Sequence, residues 1–194
     1  MRNAEFDRET VLRAAMSAFM VNGYAKTSMQ DLTKATGLHP GSIYCAFENK
    51  KGVLLAAIDQ YQQDRNLQFQ QFFDNAKPAL DNLRDYLTHI VEECLSCDAT
   101  KSCLLTKSLS EMGEQDDDIR LMINKHLHSW QNALSQVFDN AKAQKLLDKD
   151  CNSEFLAQYL MMGIYGLRTF SHTHPQVDIL QPLADKLLRD IRHG

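Results

Sequence analysis

The stretch TSMQDLTKATGLHPGSIYCAFENKKGVLL, residues 27–55, decides the fold of this chain. Ser28 predicts a helix that begins near Met29, because its hydroxyl can accept a hydrogen bond from an unpaired N–H of the first turn. Gly37 predicts the end of that helix, since glycine adopts positive φ without steric cost. Pro40 suits the first turn of a second helix, where its missing N–H is not needed. The stretch therefore predicts two short helices joined by a tight turn.

The second of these helices separates its apolar and polar side chains. Ile43 and Phe47 lie four residues apart, so they share one face and can be buried together. Lys50 and Lys51 then form a basic hinge into a longer helix. A short helix, a turn and a second short helix can place the second helix in the major groove of DNA. An ordinary surface hairpin has the same outline, but the position near the N-terminus and the Tyr-Phe-Lys run favour DNA binding.

The same stretch resembles the N-terminal domain of TetR-family transcriptional repressors. Their pattern, roughly T-x-x-x-x-[IL]-A-x-x-x-G-[VL]-x-x-G-x-[IL]-Y-x-x-F-x-x-K-x-x-[LV], is matched by Thr27, Leu32, Gly37, Leu38, Gly41, Ile43, Tyr44, Phe47, Lys50 and Val53. The preceding segment agrees at Ala15, Phe19, Gly23 and Tyr24. The chain departs from the pattern at Thr33, at His39-Pro40 and at Cys45-Ala46. The last two departures lie where the resemblance places the reading of the operator.

The resemblance also implies a role for each matching position. Base edges would be contacted by His39, Gly41 and Cys45, with Pro40 in van der Waals contact and Ser42 at a base or a phosphate. Phosphates would be contacted by Thr27, Ser28, Tyr44 and Lys50. Phosphate contacts position a protein on DNA, while base contacts give sequence preference. The implied partner is a palindromic double-stranded DNA operator that a homodimer, most simply a repressor, releases on a small-molecule or electrophile signal.

Composition and charge agree with this interpretation. The chain has 194 residues, 44% hydrophobic and 24% charged, which is normal for a globular protein. No run approaches the roughly 18 apolar residues of a membrane span, and the N-terminus lacks the apolar segment of a secretory signal, so we expect a cytoplasmic protein. Residues 1–51 carry a net charge of +2 and the rest −6, which suits a protein that touches phosphate at one end.

Apolar periodicity and only four prolines predict an all-α fold. We expect about nine helices: an N-terminal three-helix helix-turn-helix domain, then a C-terminal helical domain for ligand binding and dimerisation. The predicted domains are residues 1–51 and 52–194. The predicted helices beyond the two short ones cover residues 7–22, 50–75, 79–96, 101–112, 117–142, 152–172 and 179–192.

The last two helices are the predicted dimer interface. They carry too many apolar and small residues for one solvated face, although some of these must pack within one subunit. By resemblance, TetR-like proteins dimerise through a four-helix bundle of these helices. The predicted interface residues are Leu156, Leu160, Gly163, Ile164, Leu167, Phe170, Leu183 and Leu187.

The helical body is expected, by resemblance, to hold an apolar pocket for a small effector. Plain core packing is the alternative for each residue, and no pattern names a ligand. The candidate lining residues are Phe69, Phe72, Tyr86, His89, Leu105, Leu109, Met122, Trp130, Tyr159, Met162 and Tyr165.

Cys103 carries a second hypothesis about the signal. The segment from Lys101 to Glu111 resembles the G-C-L-x-x-x-x-x-x-E motif of the TetR branch that includes the repressor of the N-ethylmaleimide reductase gene, with Ser102 in place of that branch's Gly. A thiol at a helix N-terminus near Lys101 and Lys107 would favour the reactive thiolate. A small structural thiol is the alternative. Modification of Cys103 would then tilt the fourth helix and release DNA.

The sequence carries no convincing spacing for enzyme chemistry. We identify no nucleophile–base pair and no carboxylate–metal constellation, so we expect no catalytic residues, no metal and no cofactor. Cys94-x-x-Cys97 lacks the second pair that a zinc site usually needs. The competing function is a helical ligand-binding or partner-docking protein without DNA binding, which would leave the N-terminal motif unexplained.

Overall fold

Within residues 6–73, 77–96 and 103–193, which the computed structural model describes, the chain forms nine α-helices and no strand. The predicted all-α fold is therefore confirmed. The helices are α1 (Arg8–Asn22), α2 (Met29–Thr36), α3 (Pro40–Phe47), α4 (Lys50–Phe72), α5 (Ala79–Leu95), α6 (Leu104–Met112), α7 (Asp117–Ala143), α8 (Ser153–Phe170) and α9 (Val177–His193).

The chain divides into two compact units, and α4 and α7 contribute residues to both. The first unit comprises described residues within 1–65 and 102–126, and the second those within 66–101 and 127–194. The predicted boundary between residues 51 and 52 remains a prediction.

Local signals define the ends of α2 and α3. The hydroxyl of Ser28 accepts from the N–H of Asp31 (3.1 Å), and the Asp31 carboxylate accepts from the N–H of Ser28 (2.9 Å). This reciprocal capping box satisfies two N–H groups that the helix leaves unpaired, and its hydrogen bonds lower the pKa of Asp31. Gly37 ends α2 at φ 69°, and Pro40 is the first residue of α3. The predicted caps are confirmed.

The core of the first unit is built from the inner faces of these short helices. Phe19, Leu32, Ile43 and Phe47 each expose 5% or less of their surface. Within α2, Ala35 is exposed, whereas Thr36, four residues after Leu32 and on the same face, is half-buried.

Helix α6 is joined to the end of α1 by two charged side chains. The ammonium of Lys107 donates to the carbonyl of Met20 (2.6 Å), which is in the last turn of α1. The carboxylate of Glu111 accepts from the N–H of Tyr24 at 2.7 Å. A Cβ at Gly23 would come within 2.5 Å of that carboxylate, so the turn after α1 fits Glu111 only with a glycine there.

Several helix ends differ from the sequence prediction by two or three residues. Helix α4 ends at Phe72, before the predicted residue 75. Helix α9 begins at Val177, earlier than the predicted residue 179, so Pro182 lies inside it. A proline there removes the hydrogen bond to the carbonyl of Asp178, and both residues are exposed, so water can satisfy that carbonyl. Residues 101 and 102 of the predicted sixth helix lie outside the described residues.

The second unit has one continuous apolar core from α5, α7, α8 and α9. Leu83, Phe138 and Leu160 are fully buried in it. One charged pair accompanies this core: the guanidinium of Arg168 donates to the Glu93 carboxylate at 2.6 Å, with 9% and 15% of the two side chains exposed. A buried ion of this kind is stable only beside a partner, so this pair ties α8 to α5.

Candidate nucleic-acid interface

Helix α3 presents one exposed side that is free of large aliphatic groups. Its inner side is occupied by Ile43 and Phe47, at 1% and 5% exposure. Tyr44 stands on the outer side with 50% of its surface exposed. Six of the nine predicted DNA-contact residues lie exposed together on or beside this helix: His39, Pro40, Gly41, Ser42, Tyr44 and Cys45.

His39 is the N-cap of α3, and its side chain takes part in the cap. The ring nitrogen Nδ1 accepts from the backbone N–H of Gly41 at 3.2 Å. The carbonyl of His39 accepts from the N–H groups of Ser42 (2.9 Å) and Ile43 (3.2 Å). The exposed ring is therefore held at the first turn of the helix.

Thr27 is placed differently from the prediction. Its side chain is fully buried, and its hydroxyl donates to the carbonyl of Gly23 at 2.6 Å. A side chain without exposed surface cannot contact a phosphate, so the predicted contact by Thr27 is wrong for its hydroxyl. Ser28 is exposed, but its hydroxyl both donates to and accepts from Asp31 in the capping box.

Lys50 is half-buried and bound to the turn after α1. Its ammonium donates to the carbonyl of Tyr24 (3.0 Å) and lies 4.3 Å from the centre of the Tyr24 ring. This arrangement makes Lys50 a link between the start of α4 and that turn. Sequence reasoning passed over the exposed cations Lys26 and Lys34. Their position in the sequence, next to the two predicted short helices, could have identified both lysines as candidate phosphate contacts.

The predicted effector-lining residues are divided between the two compact units. Leu105, Leu109 and Met122 belong to the first compact unit, and the other eight belong to the second. In the second unit Tyr86 is buried against the rings of Phe69, Phe72 and Phe73. Tyr159 donates to Asp190 at 2.9 Å, and Met162 is 62% exposed.

A groove of about 450 Å³ lies between α4 and α7 in the second unit. Phe69 is the predicted lining residue that contributes to it. The groove has an aromatic and aliphatic floor and a rim of uncharged hydrogen-bonding groups. Its lining residues are Asn66, Phe69, Gln70, Phe73, Ser129, Ala133, Gln136, Val137 and Asn140.

The predicted dimer residues divide between the protomer core and its surface. Leu156, Leu160, Ile164 and Leu167 are buried inside the protomer, which places them in its own core rather than on an exposed face.

Gly163 lies where α8 and α9 approach each other within the protomer, since a Cβ there would be 2.5 Å from Leu187. Leu187 itself is partly buried against the core.

Several large apolar side chains are exposed on α8 and α9. Phe170 and Leu183, both predicted for the interface, are 39% and 43% exposed. Phe155 and Met162 on the same side of α8 are 63% and 62% exposed. Apart from the backbone of α8 itself, no atom of the described residues lies within 4 Å of the position that a Cβ would take at Gly166. Sequence reasoning assigned neither Phe155 nor Met162 to the interface, although their spacing of seven residues indicates one face.

Cys103 is the N-cap residue of α6 and is half-buried, with no hydrogen bond from its side chain to the helix. The ammonium of Lys107 is directed to Met20. Lys101 and Cys97 lie outside the described residues. Within the described residues, no group of three His, Cys, Asp or Glu side chains could hold a metal ion, and no helix is long and apolar enough to cross a membrane.

Two family profiles match the chain. Residues 11–57 match the profile of bacterial regulatory proteins of the tetR family, and residues 77–183 match the tetracyclin repressor-like C-terminal domain. The HTH-type transcriptional repressor ComR of Escherichia coli is 26% identical over 185 residues, which cover 95% of this chain and 88% of ComR. The transcriptional regulator AcuR of Cereibacter sphaeroides is 29% identical over 166 residues, 84% of this chain and 75% of AcuR.

Solved structures share the fold over nearly the whole chain. A TetR-family regulator from Agrobacterium tumefaciens has a TM-score of 0.85 at 20% identity, covering 97% of this chain and 99% of that one. A cysteine mutant of the regulator CifR, complexed with a 26-base-pair operator DNA, has a TM-score of 0.84 at 25% identity and covers 97% and 98%. The reduced form of Escherichia coli NemR has a TM-score of 0.83 at 17% identity and covers 93% and 94%.

Proposed function

Because this chain belongs to the TetR family of bacterial regulatory proteins, we propose that it represses transcription by binding a palindromic operator through α3 and releasing it on a chemical signal. Family membership makes the chain a DNA-binding transcriptional regulator and not an enzyme. It also disfavours the alternative of a helical binding protein without DNA activity. A regulator of bacterial transcription acts where the chromosome is, so the proposal places it in the cytoplasm.

One observation carries the proposal: the exposed side of α3 gathers small and polar groups around one aromatic residue. Bases would be contacted by His39, Gly41 and Cys45, with Pro40 and Ser42 beside them. The hydroxyl of Tyr44 would donate to a phosphate from the rim of the helix. Lys50 contributes mainly by fixing the turn that carries Tyr24, and exposed Lys26 and Lys34 supply positive charge near the backbone.

A second copy of the chain completes the operator-binding form. Two reading helices must meet major grooves about 34–36 Å apart on a palindromic site, which requires a symmetric pair. The exposed apolar side chains of α8 and α9 support this dimer, because contiguous exposed apolar groups are typical of protein interfaces. The proposed contact residues are Phe155, Met162, Gly166, Phe170 and Leu183, with Gly163 and Leu187 joining the two helices behind them.

The groove between α4 and α7 is the proposed site of a small effector. Its rim offers amide and hydroxyl groups without charge, and its floor offers Phe69 and Phe73. Such a lining suits a neutral molecule that has an apolar body and hydrogen-bonding ends. Ala133→Trp would fill the groove. We expect this variant to keep operator affinity but to lose the thermal stabilisation that a neutral aromatic amide or alcohol gives the wild type.

Modification of Cys103 is the alternative signal. Its position at the N-terminus of α6 supports a reactive thiol, and α6 is tied to α1 through Lys107 and Glu111. The test must begin from Cys45→Ala, because Cys45 is exposed on α3 and its alkylation would also block DNA. In that background N-ethylmaleimide should release operator DNA, and adding Cys103→Ser should prevent the release. Equal release from both proteins would exclude Cys103 as the sensor.

A mobility-shift titration with the DNA upstream of the gene tests DNA binding itself. The proposal expects affinity that falls steeply with salt, because phosphate contacts release counterions. Tyr44→Ala should weaken binding several-fold, whereas Leu121→Ala, at an exposed position on α7, should leave it unchanged. Salt-independent binding, or equal affinity for Tyr44→Ala and wild type, would contradict the assignment of α3.

A further inference from the structure

The imidazole of His39 has a defined hydrogen-bonding state. Its Nδ1 accepts the backbone N–H of Gly41 at 3.2 Å. A ring nitrogen that accepts a hydrogen bond carries no proton, so the proton of the neutral ring is on Nε2. Nε2–H is therefore a donor, on a residue that is exposed at the first turn of α3.

The surroundings of the ring keep this donor in place. Gly41 has no Cβ, and one built there would lie 3.4 Å from Nδ1, so the ring packs closely over the start of the helix. Pro40 fixes the backbone between the two residues, because its ring restricts φ. The hydrogen bond from Gly41 thus favours one orientation and one neutral tautomer of the His39 ring in the free protein, which lowers the entropic cost of a contact.

We propose that His39 determines operator specificity by donating its Nε2–H to N7 on the major-groove edge of a guanine, once in each half-site. The N-terminal residues of a reading helix are those that reach base edges. Guanine shows two adjacent acceptors there, N7 and O6, whereas adenine shows one acceptor beside a donor, thymine shows one acceptor beside a methyl group, and cytosine shows a donor. A single fixed donor therefore favours guanine. This inference rests on the proposed function of α3.

The test uses an operator selected by the wild-type protein from random duplexes. Each guanine of a half-site is replaced in turn by 7-deazaguanine, which lacks the N7 acceptor, and affinity is measured by fluorescence anisotropy. His39→Ser is the matched variant, since serine is a good helix N-cap but is too short to reach the base. An unchanged thermal midpoint of His39→Ser verifies that α3 is intact.

One guanine should respond in a way that depends on His39. We expect its replacement to weaken wild-type binding about 5- to 10-fold, somewhat less than a bidentate contact would lose. The same replacement should leave the affinity of His39→Ser unchanged, because the contact is already gone. His39→Asn, which keeps a cap acceptor and an N–H donor, should recover part of the preference.

Two results would overturn the inference. In the first, each 7-deazaguanine weakens the binding of the wild-type protein and of His39→Ser by the same factor, so the two losses are additive at every guanine. In the second, no 7-deazaguanine weakens the binding of the wild-type protein. In either case Tyr44→Ala would still weaken binding if α3 is the reading helix, so only the role of His39 would fail. If Tyr44→Ala and His39→Ser both bind like wild type, the proposed function of α3 fails instead.

Discussion

Helices α3 and α8 each bury one face within their own unit and expose another, but the two exposed faces differ in chemistry. The outer side of α3 carries glycine, serine and cysteine around one half-exposed tyrosine. The outer side of α8 carries Phe155 and Met162 at 63% and 62% exposure. A face of small and polar side chains can approach the hydrated DNA backbone closely. Large exposed apolar side chains are instead stabilised when another apolar surface covers them. The chain therefore has one face suited to contact with nucleic acid and another suited to contact with protein.

The largest expected effect separates the two sides of α3. Phe47→Ala should lower the free energy of unfolding by about 3–5 kcal/mol, because it leaves a cavity in the core of the first unit. Tyr44→Ala, three residues earlier on the exposed side, should change it by only about 0.5 kcal/mol. Urea titration followed by circular dichroism measures both. Similar losses in the two variants would mean that Tyr44 is a core residue.

The next effect separates the two sides of α8. Leu160→Ala should cost about 2–5 kcal/mol of stability, because Leu160 is fully buried in the protomer. Met162→Glu should leave the helix content unchanged but raise the dimer dissociation constant roughly 30-fold or more, as for an interface hot spot. Sedimentation equilibrium distinguishes the two. A dimer unaffected by Met162→Glu would exclude this face.

A moderate effect is expected where α6 joins the turn after α1. Glu111→Ala should cost about 1–3 kcal/mol, because the N–H of Tyr24 loses its acceptor. The amide of Tyr24 should also exchange its hydrogen faster. Glu114→Ala, at an exposed position just beyond α6, is the control and should change stability by less than about 0.5 kcal/mol. Unchanged exchange at Tyr24 would show that Glu111 does not hold the turn.

The smallest effect concerns acid stability of the first unit. The guanidinium of Arg13 donates to the Asp64 carboxylate (2.7 and 2.9 Å) and lowers its pKa below the usual 3.8. A lowered pKa means that the unfolded chain takes up the proton first, so this stabilisation is present above pH 3.8 and is lost as pH falls further.

Asp64→Asn should therefore lower the free energy of unfolding at pH 7 by less than about 1 kcal/mol, since the pair is partly exposed. The variant should also lose less stability than the wild type as the pH falls below 4. Urea midpoints at pH 7 and pH 3 measure this, with Glu114→Gln as the control. An identical pH dependence in wild type and Asp64→Asn would contradict the pairing.

The two helices also differ in how far their sequences could be interpreted. In α3 the spacing of Ile43 and Phe47 and the caps at Gly37 and Pro40 predict the burial pattern, because these signals are local. In α8 more than half of the residues are apolar, so two faces meet the same criterion. Periodicity cannot tell which face meets the protomer's own core and which is exposed, and so Leu160 and Met162 could not be separated.

The folded turn after α1 explains the other differences. The hydroxyl of Thr27 is bonded within this turn to the Gly23 carbonyl, four residues earlier, and Lys50 is bonded to Tyr24, 26 residues earlier. In the sequence these polar side chains look free to contact DNA. Only the folded turn shows that they are already hydrogen-bonded to backbone carbonyls of the protein. Glu111 is a similar case, since its motif was visible but its contact with the turn after α1 was not.

The most direct measurement of the central claim compares two operator duplexes. One carries both half-sites of the selected palindrome, and the other has one half-site scrambled; binding of wild type and Met162→Glu is followed by anisotropy, with the mass of each complex determined. We predict two protomers on the full palindrome and a loss of at least about 10-fold in affinity when one half-site is scrambled, with this advantage much reduced in Met162→Glu. A single protomer that binds both duplexes with equal affinity would contradict this prediction.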